Sequence, residues 1–523
     1  MASNSGQVRD YHAFPDDELP EGWCRSSLGN LSELVSGAGF PIKYQGRTGL
    51  RYPFFKVGNL GDVNSGELLT ETPDTIDNVI INELHAKIIP TNSIVFAKIG
   101  MAIRLNRRRM VGVPCCIDNN MMAAVPNGAA LPHYLLRFLE TVDFMALTQA
   151  TTVPSIRKGD FESISIPLPP IVEQKRIVAK VEELFEQVNA AKERLARVSL
   201  ILKRFRQAVL AAACSGHLTA DWREKNPDLE SAETLLENIQ ERRLQRANTH
   251  SQRQKIDEIY SYQEEGDSHS LPENWRHWAL DKLCESFQYG TSKKSEPSGK
   301  VAVLRMGNIQ DGEIDWNDLV YTSDDEEIKK YKLNPGDILF NRTNSPELVG
   351  KTAIYRGEHP AIFAGYLIKI HYFKELDSSY LNVCLNTTYA KHFCMKVKTD
   401  GVSQSNINAQ KLGKFEVPFC PLEEQHEIVR RVEALFKLAD VVEKRVAAAT
   451  ARAEKLTQAI LAKAFRGELV PTEAELARRE RRPYETASEL LARINSERES
   501  KGASKLTPRN RNQQKARRTR PAQ

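Results

Sequence analysis

No stretch of this chain approaches the ~18 consecutive apolar residues needed to cross a bilayer. The opening segment, Met1 to Arg9, is polar and has no apolar centre of the kind a signal peptide carries. Both absences point to a cytoplasmic protein. The eight cysteines are scattered, with one adjacent pair at Cys115 and Cys116 and no Cys-x-x-Cys. The eleven histidines are dispersed too. A disulfide framework and a zinc site both need paired ligands at short spacing, so neither is expected, and no metal ligand is assigned. Catalytic motifs are missing as well. Asn344–Thr352 (NSPELVGKT) nearly spells a phosphate-binding loop, but Ser345 stands where the first glycine must give the backbone its freedom. Gly37-Ala38-Gly39 is too short for a dinucleotide fingerprint. There is no Asn/Asp-Pro-Pro-aromatic tetrapeptide of an adenine methyltransferase, and no acidic-x-Lys cluster after a Pro-Asp that would specify a nuclease. No catalytic residue is assigned, and no cofactor is expected on this chain.

Positive charge is scarcer than the formal +5 suggests. Lys501, Lys505, Arg509, Arg511, Lys515, Arg517, Arg518 and Arg520 crowd the last residues with no acidic partner, so removing these eight from +5 leaves −3 for the rest. The tail has little to bury and reads as disordered; it either attracts phosphates or is simply a solvated end. Net charge therefore does not make the body a nucleic-acid binder. At 523 residues, 41% of them hydrophobic, the chain can build two or more cores.

What the sequence does have is a second copy of itself. Leu19-Pro20-Glu21-Gly22-Trp23 recurs as Leu271-Pro272-Glu273-Asn274-Trp275. IPLPPIVEQKRIVAKVEELF (Ile166–Phe185) recurs as VPFCPLEEQHEIVRRVEALF (Val417–Phe436), and QAVLAAACSGHL (Gln207–Leu218) as QAILAKAFRGEL (Gln458–Leu469), both at an offset of 251 residues. SAETLLENIQERR (Ser231–Arg243) is echoed by TASELLARINSER (Thr486–Arg498). So long a period is a duplicated domain plus helix, not a solenoid.

Each long block opens on prolines, which force an extended approach, and then turns helical. Apolar positions step by fours and threes through Ile177, Val181, Leu184, Val188, Leu195, Leu202 and Val209. The second copy repeats the seam as Ile428, Val432, Leu435, Val442, Val446, Leu456 and Ile460, and then meets Lys463, where the pattern predicts fraying. Gly216 and Gly467 stand where each helix should stop. Helices of some forty residues would be on the order of 60 Å long. Two such seams in one chain are buried most economically against each other, antiparallel, which makes the halves nearly two-fold related. Packing of each helix on its own domain is the other arrangement the seam allows. Duplex DNA has the same local symmetry, so a duplicated reader can address two half-sites.

Before each helix, short β-like runs alternate with Gly, Asn and Pro. SIVFAKIG (Ser93–Gly100) is matched in the second copy by DILFNRTN (Asp337–Asn344), and each leads through a polar loop to a second run, Val111–Ile117 or Lys351–Tyr355. The scaffold repeats while most residues between the anchors do not, as a two-part, asymmetric target would require. The polar loops are the candidate base-facing segments. Arg104, Asn106, Arg107, Arg108 and Arg109 supply forked donors for guanine edges or phosphates. Asn341, Arg342, Asn344 and Ser345 offer donors and acceptors in the second copy, and Lys293 with Lys294 makes a smaller cationic pair. A solvated hairpin turn would use the same residue types.

With their partners in the second copy, the blocks LPEGW, IPLPPIVEQKRIVAKVEELF and LKRFRQAVLAAACSGHL make the chain resemble the specificity subunits of type I restriction–modification systems, in particular the type IA branch. SGAGFPIKYQG (Ser36–Gly46) resembles the opening of a target-recognition domain in that family. The resemblance covers nearly the whole chain apart from the basic tail. It implies an α+β protein with two globular α/β target-recognition domains separated by two long antiparallel coiled-coil helices. The divisions it implies are target-recognition domains at 1–165 and 271–416, conserved helices at 166–216 and 417–467, a connecting region with a short helix at 217–270, and a C-terminal helix and tail at 468–523. It further implies that each domain reads one half of an asymmetric, bipartite site in double-stranded DNA and that the coil fixes the gap. Two modification (methyltransferase) subunits binding S-adenosylmethionine, and restriction subunits using ATP and Mg, are the implied partners, so the chain itself is expected not to be an enzyme. The competing readings are an architectural coiled-coil protein with two protein-binding domains and, disfavoured by the missing motifs, a fused restriction–methylation enzyme.

Overall fold

The computed structural model of the chain describes residues 19–61, 68–148, 153–264 and 271–504. It divides into two units: residues 1–194 with 449–523, and residues 195–448.

The first unit contains β1 (Cys24–Ser27), β2 (Ser32–Ser36), β3 (Leu68–Leu69), β4 (Ile94–Ala97), β5 (Arg108–Val111), β6 (Met121–Pro126), the helix α1 (Pro132–Leu139), β7 (Ser165–Leu168) and the start of the long helix α2 (Ile171–Cys214). Five strands form a sheet in the order β2-β6-β4-β5-β3, antiparallel except for β5 with β3. β4 is Ile-Val-Phe-Ala, buried at every position, which is why a continuous apolar run rather than an alternating one marks the middle strand. β1 pairs with β7, Cys24 opposite Leu168.

The second unit repeats the plan. After α3 (Ala232–Arg246) come β8 (Arg276–Ala279), β9 (Cys284–Tyr289), β10 (Ile338–Asn341), β11 (Thr343–Asn344), β12 (Thr352–Ile354), β13 (Leu367–Tyr372), α4 (Ser378–Leu385), β14 (Thr399–Asp400), β15 (Ser405–Asn406), β16 (Glu416–Phe419) and the long helix α5 (Leu422–Phe465). Its main sheet runs β9-β13-β10-β12, antiparallel throughout. β8 pairs with β16 as β1 does with β7. Beside the single helix expected, the connecting region holds the short helix Ala220–Arg223 and a longer one, His250–Ser261.

Both long helices have 44 residues, about 66 Å each at 1.5 Å per residue. In the first unit Ile177, Val181 and Val188 share a core with Ile460, Leu461, Ala464 and Phe465. Lys192 reaches Thr457 at 3.5 Å while Arg176 reaches Glu473, beyond the end of α5, so the two segments run antiparallel. In the second unit Arg206 pairs with Glu443 at 2.9 Å, and Val209 shares a core with Ile428 and Val432, again antiparallel. Leu202 is buried, whereas Leu184, Leu195, Leu435, Val442 and Val446 are half-buried. Leu456 departs from the predicted seam. It is 51% exposed, because the inward steps run Ala453, Thr457, Ile460, Ala464. Nor does α5 fray at Lys463. The seam shifts onto Leu461, Ala464 and Phe465, and Lys463 points to water. Its carbonyl instead accepts the Glu468 amide at 2.9 Å.

The recurring motifs turn out to be the fastenings of the helix starts. Trp23 donates through Nε1 to Glu173 at 2.9 Å, and Trp275 donates to Glu424 at 2.8 Å. The next residue is a buried glutamine in each copy. Gln174 Nε2 donates to the Ala129 and Pro169 carbonyls, and its Oε1 accepts the Leu131 amide. Gln425 makes the same three bonds to Glu375, Cys420 and Asp377. A carboxylate at a helix N-terminus suits the dipole, and here it is buried and hydrogen-bonded as well. Each long helix ends just before a left-handed glycine, Gly216 (φ +76°) or Gly467 (φ +75°). A Cβ at either would sit 2.5 Å from the ring of Pro272 or Pro20 respectively, so the Leu-Pro-Glu-x-Trp turn requires glycine at both places. That turn also receives a helix. Ala232 of α3 donates its amide to the Asn274 carbonyl at 3.1 Å, and Ala487 of the C-terminal helix donates to Gly22 at 2.9 Å.

Candidate nucleic-acid interface

The centre of each sheet delivers a cation to the same place. β4 ends at Ala97 and is followed by Lys98; β10 ends at Asn341 and is followed by Arg342. Lys98 donates its amide to the Asn120 carbonyl at 2.8 Å and accepts from the Ile156 amide at 3.0 Å. Arg342 does the same with Tyr366 at 3.0 Å and Ile407 at 2.9 Å. The backbone frames match, but the side chains and their surroundings do not. Lys98 is half-buried near the Asp118 carboxylate, and desolvation pulls its pKa below the ordinary lysine value while Asp118 opposes the shift. Asp118 in turn accepts the Val57 and Asn120 amides. Arg342 is held more firmly. One guanidinium nitrogen donates to Asn406 Oδ1 at 3.0 Å, another reaches the Gly365 carbonyl at 3.4 Å, and the plane lies 4.8 Å from the Tyr289 ring centre. Asn406 is fixed through its own donation to Thr343 Oγ1, and Tyr289 Oη accepts the Ala409 amide. Tyr289 and Tyr366 are 39% and 48% exposed, offering aromatic faces beside a forked donor.

The structure divides the predicted site residues. In the first unit Arg104 is exposed on a short 3-10 turn, Met101–Leu105, and Arg107 is half-buried after it. Asn106 takes a left-handed conformation (φ +50°) and holds the turn. Its Nδ2 donates to the Val142 carbonyl, and its Oδ1 accepts from Phe144 N and Arg108. Arg108 and Arg109 are corrected outright. β5 begins at Arg108, before the expected run, and both residues are buried in it. The Arg108 guanidinium lies 3.9 Å from the Phe144 ring centre and donates to Asn106 and Val142; burial lowers its pKa to about 9. Neither side chain can reach a base from there. Arg108→Ala is therefore expected to cost about 2–3 kcal/mol of stability, by stranding buried carbonyls, and to leave base preference unchanged. Thermal unfolding beside a binding assay separates these effects.

In the second unit Asn341 is also corrected. It is fully buried, and neither side-chain amide atom has a hydrogen-bond partner. Asn344 lies in β11, paired with Ser405, and its Oδ1 accepts the Ser345 amide; both Asn344 and Ser345 are half-buried. Lys293 is committed to Asp324 at 2.7 Å, whereas Lys294 is exposed. The site thus gathers Arg342, Asn344, Asn406 and Tyr289. The sequence reading missed Lys98, Tyr289 and Asn406. The alignment of SIVFAKIG with DILFNRTN already set Lys98 opposite Arg342 and could have flagged it.

Among the described residues no group of three His, Cys, Asp or Glu side chains could hold a metal ion, and no helix is long and apolar enough to cross a membrane. All eight cysteines are free thiols, six of them buried.

This is a duplicated α+β protein carrying one strand-end cation and one set of divergent loops per unit. A family model described as the type I restriction modification DNA specificity domain matches it twice, at residues 20–199 and 272–450. The chain belongs to that family. It is 27% identical over 505 residues to the type I restriction enzyme EcoKI specificity subunit of Escherichia coli (strain K12), covering 94% of this chain and 98% of the relative. With the EcoBI specificity subunit of Escherichia coli it shares 31% identity over 386 residues, 72% of this chain and 73% of the relative. A solved chain from work on complex assembly and conformational transition of the type I R-M system has a similar fold. Its TM-score is 0.61 at 20% identity, covering 86% of this chain and all of that one.

Proposed function

We propose that the chain is the DNA sequence-specificity subunit of a type I restriction–modification complex, and that each unit reads one half of an asymmetric, bipartite site. The observation that carries this is the matched pair of strand-end cations: one backbone frame written twice, with Lys98 and its surroundings in one unit and Arg342, Asn406 and Tyr289 in the other. Equal frames suit a duplex whose two half-sites present the same local geometry; unequal side chains suit different bases. The exposed Arg104 and Lys294 and the half-buried Arg107 are the cations for neighbouring phosphates.

In this reading the chain performs no chemistry and acts in the cytoplasm on double-stranded DNA. Two modification subunits bring S-adenosylmethionine, and restriction subunits bring ATP and Mg. Leu200, Ile201, Leu438 and Val441, exposed on the long helices, suit docking of such protein partners. Footprinting of the assembled modification complex tests the reading. Two protected blocks flanking a less protected gap are expected; one uninterrupted symmetric block, or no footprint, would sink it.

A further inference from the structure

We infer that the hairpin of β14 and β15 is a groove-reading element, and that Val402 at its tip packs against the 5-methyl group of a thymine in the second unit's half-site. The inference rests on the DNA-reading function proposed above. The hairpin pairs Thr399 with Asn406 and Asp400 with Ser405, and the Gly401 amide closes the turn on the Gln404 carbonyl at 2.8 Å. Its base is fastened. Lys411 Nζ donates to the Val397 carbonyl at 2.6 Å and to Thr399 Oγ1 at 2.7 Å, and Asp400 accepts from Lys398 and Ser405. On its other side β15 pairs with β11, and Asn406 receives the Arg342 guanidinium. The hairpin is therefore built onto the strand-end site.

Val402 has a relative exposure of 110%, so no part of its side chain is covered. An uncovered valine on a fastened turn is an apolar point held out to water, on the same strand system as Arg342, the cation assigned above to base reading. The exposed tip residues around it, Gly401, Ser403 and Gln404, carry no positive charge, so the tip is not a phosphate grip. A two-stranded ribbon fits the major groove, where the thymine methyl is the one apolar feature on a base edge. Wedging between bases in the minor groove is the work of longer side chains such as Phe, Leu or Met.

The test uses the complete chain with its modification subunits on duplexes carrying the mapped site, with each thymine of the second half-site replaced in turn by deoxyuridine. One replacement is expected to weaken wild-type binding about three- to fivefold, the value of one buried methyl. Val402→Ser should bind thymine DNA about as weakly, be indifferent to deoxyuridine at that position, and read the other half-site normally. Sequence-specific binding with Val402→Ser equal to wild type, or still losing affinity at that deoxyuridine, overturns the inference alone. Loss of modification subunits from the Val402→Ser complex would make the tip a protein contact and overturn it too. A wild-type complex with no sequence-specific binding would remove the DNA-reading function and this inference together.

Discussion

Replacing Glu424 by Ala is expected to open the start of α5 by about 3 kcal/mol, because breaking a buried, hydrogen-bonded ion pair leaves its partners stranded. Glu424 is fully buried and accepts from Trp275 Nε1 at 2.8 Å, Thr219 Oγ1 at 2.7 Å and Arg223 at 2.8 Å. Arg223 is 18% exposed and also donates to the Gly216 carbonyl, so losing the carboxylate loosens the stop of α2 as well. At 1.4 kcal/mol per decade, amides around residues 216–223 and 422–430 should exchange with solvent about a hundredfold faster. The duplication supplies a control. Glu173 holds the equivalent place, bonded to Trp23 and to the Glu473 amide at 2.8 Å, with Arg176 nearby as a charge; among the described residues it has no arginine hydrogen bond of the Arg223 kind. Burial and the nearby Glu473 carboxylate raise its pKa. Glu173→Ala should therefore cost less than Glu424→Ala. Equal exchange rates in the two variants would show that Arg223 adds nothing.

The second large effect is on base choice. Arg342→Ala should lower discrimination in one half-site by about 1–3 kcal/mol, roughly five- to 150-fold at the base it reads, and leave the other half-site intact. The substitution Arg342→Lys distinguishes reading from gripping. A phosphate contact keeps most of its strength with any cation, whereas a planar fork stacked on Tyr289 cannot be replaced by a point charge. A uniform loss of affinity in Arg342→Ala, restored by Lys with base preference unchanged throughout, would reduce Arg342 to a backbone contact.

The features legible in the sequence were those that periodicity and duplication encode: two long helices, their glycine stops, the doubled scaffold and most of the seam. Leu456 was misplaced because steps of three-then-four and four-then-three look alike among alanines, and Thr457, not an apolar residue, fills the inward position facing Lys192. Arg108 and Arg109 read as part of an exposed, base-facing cationic loop because charge signals exposure. Nothing in the local sequence announces Phe144 and Val142, more than thirty residues downstream, which bury Arg108. The opposite error hid Lys98, Tyr289 and Asn406. They are single polar residues in ordinary runs; Tyr289 and Asn406 join Arg342 only when the second unit's strands bring together three segments separated in the chain, while Lys98 belongs to the first unit's sheet. The basic tail from residue 505 onward, expected to be disordered, lies outside the described residues.

The central claim is that one frame, repeated, reads two different half-sites. Methylation mapping in a host carrying the chain with its modification subunits tests it most directly, with wild type, Lys98→Ala and Arg342→Ala compared side by side. The account predicts two short defined blocks separated by undefined bases for wild type, with Arg342→Ala relaxing only one block and Lys98→Ala only the other. A single continuous or palindromic motif, or both variants relaxing the same block, would contradict it.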